Sequence, residues 1–550
     1  MAQTIVEKIS QTHMTEGPDR PLRAGDFLSI RPDHVMTHDN TSAVMKKFKA
    51  IGAESIYNPT QPVFTADHDI QNTEESNLAK YRSMEKFATQ HGINFYPPGT
   101  GIGHQVMVEQ GYVLPGDFIV ASDSHSNMYG ALGAIGTPVV RTDAAAIWAT
   151  GEFWWQVPPT VQVVLEGKLS PGVTGKNVII TLCGLYNQEE VLNAAVEFSG
   201  PGVASLSMDA RLSIANMTTE WGALVGWFPV DEVTIAYLEN RDLELRRNGT
   251  TRIPRWKLTE WRNNPPRPDD DALYAGRIVL NLDEVTPHVS GPDTVQVMQS
   301  VAEIEKRNIK IQKAYLVSCV NSRLEDLAAA AEAIQGKKVA RDVKFYLAPA
   351  SRSVQEDAER QNIWQTLLEA GAQPLPPGCG PCIGLGTGLL EAGEVGISAT
   401  NRNFKGRMGS RDAQCYLASP EVVAAALARF EQVRADCRST LHDRLIAALE
   451  AGAASGGDRR CEPALAALSA FLEVAGPDDA PDAPSLRLVV TPPFEPAPGI
   501  PTLLRQLVRP ERATEYENPV KKLRAMYDAW RGEHEPVGRC SDQDPQEGAP

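Results

Sequence analysis

PPGCGPCIG, residues 376–384, sets Cys379 and Cys382 two residues apart in a turn of proline and glycine. Such a pair can form half a zinc site, a redox dithiol or two ligands of an iron–sulfur cluster, or it can be purely structural. A zinc half-site needs a second close pair of Cys or His, and here the other six cysteines are single and the ten histidines scattered. A redox dithiol of the thioredoxin kind opens a helix after a strand, whereas this chain runs on as GLGTG, a poor helix start. A third thiol stands sixty residues upstream. Cys319 follows the strand-like AYLVS (314–318) and precedes the loop and helix start VNSRLED. One such cysteine is by default a small buried hydrophobe. Three thiolates on loops can instead hold an iron–sulfur cubane and leave one iron without a protein ligand, open as a Lewis acid toward a hydroxyl and a carboxylate.

Outward from these thiols, the first 430 residues alternate β-rich runs with alanine-rich helical stretches, the pattern of α/β layers with mainly parallel strands. The runs DFIVAS (117–122), VQVVLEG (161–167), NVIITLCG (177–184), AYLVS (314–318) and VKFYLA (343–348) read as strands. MAQTIVEKISQTH reads as the first helix. TDAAAIWATGEFWW (142–155), with Thr142 or Asp143 as its cap, and LEDLAAAAEAIQG (324–336) read as further helices. Polar residues recur just after strands: Asp67 and His68 after PVFT, His104 a short loop beyond INFY, Asp123, Ser124 and His125 after FIVAS, Cys319 after AYLVS, and Asn401, Arg402 and Arg407 after VGIS. Ligands of open α/β sheets bind outside the carboxyl ends of the strands. Five segments delivering polar groups to such ends point to one shared cleft.

The totals bound the function. A chain of 550 residues exceeds one hydrophobic core. Its 42% hydrophobic and 22% charged composition is that of an ordinary globular protein, and its net charge of -16 argues against a nucleic-acid or anionic-membrane surface. Eight irregularly spaced cysteines point to a reducing compartment rather than a disulfide framework. No transmembrane run, apolar signal core or arginine-rich presequence is visible. A cytoplasmic location is therefore the default expectation, with the mitochondrial matrix left open. The segment 247–271 reads as a surface insertion. After about 430 come two Ala/Leu-rich helices (441–453 and 463–474), a Pro/Asp linker (476–484), a strand at SLRLVV and a disordered end.

The ordered motifs HVMTHDNT (34–41), FTADHDIQN (64–72), GIGHQ (101–105), ASDSHSNMYGALG (121–133), IANMTTEWGA (214–223), SCVNSR (318–323), GCGPCIG (378–384), TNRNFKGRMGS (400–410) and YLASPEVVAAA (416–426) resemble those of aconitase-superfamily hydro-lyases, most closely the fungal homoaconitase type. The resemblance covers about three quarters of the chain. It implies three α/β/α layered domains around a central cleft, here 1–170, 171–285 and 286–430, followed by a divergent region, 431–550. It implies a [4Fe-4S] cluster on Cys319, Cys379 and Cys382 and a small carboxylic-acid substrate. Asp67, His68, His104, Asp123, His125 and Glu220 would be catalytic, while His38, Ser124, Asn216, Asn401, Arg402 and Arg407 would bind substrate. Forked arginine donors suit carboxylates, and imidazoles beside carboxylates suit proton transfer.

The sequence also departs from that pattern. Val320 stands where a threonine usually follows the first cluster cysteine. No Gly-Ser-Ser-Arg-Glu motif, which in the family supplies a serine base from a swivelling domain, occurs anywhere in the chain. Three explanations follow: a swivel-type small subunit acting in trans, an unrelated base in the last 120 residues, or a cluster-bearing binding or regulatory protein without catalysis.

Overall fold

The computed structural model describes residues 2–427. The helices, linker, strand and disordered end expected beyond 430 lie outside the described residues. Four of the five strand readings form, as Phe118–Ala121, Thr160–Glu166, Lys313–Leu316 and Lys344–Leu347. The fifth is corrected. NVIITLCG lies inside the helix Gly175–Leu185, whose residues 175–183 are all buried. A helix buried on every side shows no polar stripe, so its apolar β-branched run looks like a buried strand. The helix expected over 142–155 is shorter, Arg141–Thr150, and it starts after Val140 with no side-chain cap from Thr142 or Asp143. Gly151 ends it at φ +80°, and FWWQ continues as the strand Phe153–Gln156. The polar segment 247–271 carries the helix Arg255–Asn263, which buries Leu258 and Trp261.

Four sheets organise these elements. A five-stranded parallel sheet runs in the order Asn94–Tyr96, Pro62–Thr65, His34–Thr37, Phe118–Ala121, Ile135–Pro138. A four-stranded parallel sheet runs Val225–Trp227, Ala195–Ser199, Thr160–Glu166, Gly276–Asn281. A seven-stranded sheet runs Met298–Ser300, His288–Ser290, Gln414–Leu417, Val395–Ser398, Lys313–Leu316, Lys344–Leu347, Ala372–Pro374, antiparallel only at its first two pairings. A small antiparallel sheet joins Met14–Glu16, Phe27–Ile30 and Phe153–Gln156. Pro62–Thr65 and Phe118–Ala121 are buried at every position, as expected of parallel strands covered on both faces.

Parallel pairing decides what meets at the sheet ends. Lys313–Leu316 and Val395–Ser398 are neighbours in register, so the loops bearing Cys319 and Asn401 leave the same edge side by side. The first and third sheets are joined backbone to backbone: the Ile102 amide donates to Ala350 O at 2.8 Å and the Cys379 amide to Asp67 O at 2.7 Å. The first and second meet through Gly130, where an added Cβ would stand 1.7 Å from Gly226 O. No helix among the described residues is long and apolar enough to cross a membrane.

Candidate functional site

Cys319, Cys379 and Cys382 line one cavity together with Asp67, His68, His104, Asp123, His125, Asn401 and Arg407. All three thiols are free and buried. Cys379 sits at the mouth of a 3₁₀ turn, Gly380–Ile383, which brings Cys382 back over it: the Cys382 amide donates to Cys379 O at 3.0 Å. Gly378 makes this possible. An added Cβ there would meet Ile70 Cδ1 at 2.5 Å and Asp67 O at 2.8 Å, so the thiol turn rests directly on the strand end that carries Asp67 and His68.

Cys319 reaches the cavity through a strained residue. Ser318 has φ +112°, rare for a side chain with a Cβ and typical of functional turns. The loop is then nailed down by Arg323, which is fully buried. Its guanidinium donates to Cys319 O (2.7 Å), Val320 O (2.6 Å), Ser213 Oγ (2.7 Å) and Asp209 O (3.0 Å). This ties the thiol loop to the helix Met208–Trp221, which carries Asn216 and Glu220 one turn apart. Asn216 Nδ2 donates to Cys319 Sγ at 3.2 Å and Asn401 Nδ2 to the same sulfur at 3.5 Å, while Asn401 Oδ1 lies 3.6 Å from Cys382 Sγ. Burial and the neighbouring Cys382 push the Cys319 thiol up to about 12. Burial, with Asp67 and Cys382, also pushes Cys379 well up. Three buried, unpaired sulfurs on one cavity form a donor set that suits a polynuclear cation, which would bind them as thiolates.

Beside the thiols lies a network of imidazoles and carboxylates. Asp123 accepts from His104 Nε2 at 2.7 Å and the His125 amide at 3.0 Å, and it stands 3.6 Å from His68 Nε2 and 3.9 Å from His38 Nε2. Burial opposes its charge, but the surrounding histidines win and hold the carboxyl well below the usual range. His68 Nδ1 donates to Asp67 Oδ1 at 2.6 Å. Burial works against its imidazolium too, yet Cys379, Asp67 and Asp123 raise it well above the ordinary value. His38, stacked on His68 with ring centroids 3.9 Å apart, is pushed down to about 4 by burial and by that charge. His125 Nε2 lies 3.2 Å from Glu220 Oε1, which Arg402 Nε also contacts. Glu220 is held below its ordinary value against its burial by these two cations.

His38, Asn216, Glu220 and Arg402 therefore join the site through its lining residues, and Ser124 is held by a hydrogen bond from Thr219 Oγ1 to its carbonyl, 2.8 Å. Arg407 lines the cavity with a buried Nε that has no partner among the described residues.

The sequence reading missed Asp39. Its Oδ2 accepts from the amides of Asp67 (2.9 Å) and His68 (2.8 Å). Its Oδ1 accepts from the Asp69 amide (3.2 Å), Tyr81 OH (2.5 Å) and Lys80 Nζ (3.4 Å). These donors overcome burial and keep it ionised. The available signal was an acid inside HVMTHDNT, directly after His38.

Comparison with known proteins adds the following. The model of the Aconitase family (aconitate hydratase) matches residues 7–428. A family of unknown function, DUF1028, matches 412–497. The chain is 58% identical over 435 residues to a protein named mitochondrial homoaconitase from Mycosarcoma maydis, covering 77% of this chain and 59% of that one. It is 55% identical over 425 residues to one from Debaryomyces hansenii (77% and 62%), and 55% over 444 residues to one from Cryptococcus neoformans var. neoformans (78% and 61%). The chain thus spans about three fifths of the length of these curated relatives. A solved structure of Thermococcus kodakaraensis aconitase X, holo form, aligns at a TM-score of 0.42 with 13% identity, covering 72% of this chain and 90% of that one.

Proposed function

The chain belongs to the aconitase family, and from that premise we propose that it is the cluster-bearing part of an iron–sulfur hydro-lyase acting on a homoaconitate-like or isopropylmalate-like 2-hydroxy acid. The carrying observation is the convergence of three free thiols, from residues 319, 379 and 382, on one cavity walled by paired imidazoles, carboxylates and Arg407, whose Nε has no partner among the described residues. Cys319, Cys379 and Cys382 would hold a [4Fe-4S] cluster. When bound, that cluster supplies a Lewis-acidic iron for the substrate hydroxyl and a neighbouring carboxylate.

The chain's own groups do the rest. Arg407 and Arg402, with Asn401, hold carboxylates, and the free face of Arg407 is the clearest anchor. His68, kept protonated by Asp67 on Nδ1, gives its Nε2 proton to the departing hydroxyl as the C–O bond breaks, so that water leaves. Asp123 and His104 orient that exchange, and His125 with Glu220 fixes Arg402. The proton on the adjacent carbon must go to a base, and rehydration in the opposite sense then moves the hydroxyl by one carbon. A swivel-type small subunit supplying that base in trans is our reading of the missing serine motif. The relatives are named as mitochondrial, and we read the same compartment for this chain, the second of the two left open by its sequence.

Anaerobic reconstitution with iron and sulfide tests the reading. The parent should turn brown and retain iron, and the Cys319/Cys379/Cys382→Ser triple variant should not. Equal iron in both would overturn it. A substrate panel with and without a swivel-type partner, followed by enoic-acid absorbance, then identifies the acid. A cluster-loaded chain inactive on every acid in both conditions would favour a binding role.

A further inference from the structure

Lys176 plays no part in the chemistry above, yet it lies at the heart of the molecule. It is the second residue of the helix Gly175–Leu185, and its side chain is completely buried. Both of its hydrogen bonds go to backbone carbonyls, Thr400 O at 2.5 Å and Ala399 O at 3.2 Å. The acidic groups facing it, Asp326 and Glu220, and the thiols of Cys382 and Cys183 act on it only through space.

A cation in that position is unfavourable twice over. It is cut off from water, and it stands at the positive end of a helix dipole. Burial accordingly lowers its ammonium to about 8. A methionine of similar length would suit the helix better, so the benefit must lie in the two carbonyls. They belong to the turn that leaves the strand Val395–Ser398 and leads directly into Asn401 and Arg402. From its own sheet the turn is tied by the Thr400 amide to Ser398 Oγ at 3.0 Å. The remaining acceptors face the Gly175–Leu185 helix, and only a long donor reaching across can satisfy them.

We propose that Lys176 is a positioning residue, whose ammonium fixes the Ala399–Thr400 peptides so that Asn401 and Arg402 are presented to the cavity at a cost to fold stability. The roles of those two side chains rest on the function proposed above; the turn's dependence on Lys176 does not.

Lys176→Met and Lys176→Gln, made in the full reconstituted chain, separate the two. Amide hydrogen exchange in the peptide covering 399–403 should quicken by about tenfold in the Met variant, the loss of the ammonium's two hydrogen bonds, and by less in Gln, which keeps a donor. The Met variant should melt at or above the parent's temperature. Calorimetric affinity for citrate, a probe with three carboxylates and a hydroxyl, should fall by about tenfold in Met and recover partly in Gln. Unchanged exchange at 399–403 overturns the proposal. So does a lowered melting point with exchange quickened throughout the chain, which would make Lys176 merely structural. A parent that binds no citrate speaks against the proposed function, and exchange and melting still decide the role of Lys176.

Discussion

Arg211 and Arg407 each carry a guanidinium into the interior, in two different regions. Arg211, on the helix Met208–Trp221, meets Asp231 through both terminal nitrogens, at 2.8 and 2.6 Å, and Val203 O at 2.9 Å. The guanidinium of Arg407, in the turn after Val395–Ser398, donates to no side chain or carbonyl among the described residues and lies 5.8 Å from the Phe404 ring centroid. Each Nε lacks a partner, so the difference lies at the forked end. The acids divide the same way. Glu197 is closed off by the Val6 amide and Tyr274 OH, at 3.2 and 2.9 Å, whereas Asp123 gathers histidines around an open cavity. The forked end of Arg211 is met by protein and holds the fold, while that of Arg407, met by no described residue, is where we propose that a ligand binds.

Four experiments press on that contrast, in descending order of effect. Asp231→Ala removes the partner of a buried cation and the cap of the helix Glu232–Arg247, which Asp231 makes to the amides of Val233 and Thr234. Its urea unfolding free energy should fall by about 4 kcal/mol; a loss under about 1 kcal/mol would show that the closed pair is dispensable. Glu197 comes next. Burial raises its carboxyl from 4.5 to about 7, so between those values the folded chain keeps a proton that the unfolded chain has lost. Stability from this group is whole below pH 4.5 and declines as pH climbs through 7, by roughly 3 kcal/mol in all. The parent-minus-Glu197→Gln difference in unfolding free energy should therefore fall between pH 5 and 8, and a flat difference would contradict the shift. Arg407→Met should leave unfolding within about 0.5 kcal/mol of the parent while weakening citrate binding by about 2 kcal/mol. The reverse pattern would put Arg407 with Arg211. Arg262→Ala, breaking the exposed pairs to Glu232 and Glu239, should leave the urea unfolding midpoint of the parent unchanged.

What could be read from the amino acids follows physical lines. Buried parallel strands ending in polar residues announce themselves, so Asp67, Cys319 and Asn401 were placed after Pro62–Thr65, Lys313–Leu316 and Val395–Ser398. Asn216 and Glu220, four residues apart, sit on one helix. The helix Gly175–Leu185 was misread because complete burial erases periodicity, and Lys176 went unnoticed inside it. Phe153–Gln156 was absorbed into the preceding helix, although Gly151 marks the stop. Asp39 was illegible for another reason: its donors come from residues 67–69 and from Lys80 and Tyr81 on the next helix, and no local pattern encodes so distant a meeting.

That meeting has a further consequence. Because one carboxylate grips three successive main-chain amides, and the main chain so gripped also receives the Cys379 amide, the His68 imidazole and the thiol turn share a single rigid mount. The segment from Arg402 to Arg407 follows the strand Val395–Ser398 of the seven-stranded sheet and supplies none of the donors to Asp39. Side chains from 402 to 407 can therefore be exchanged without loosening the mount on which His68 and the thiol turn rest.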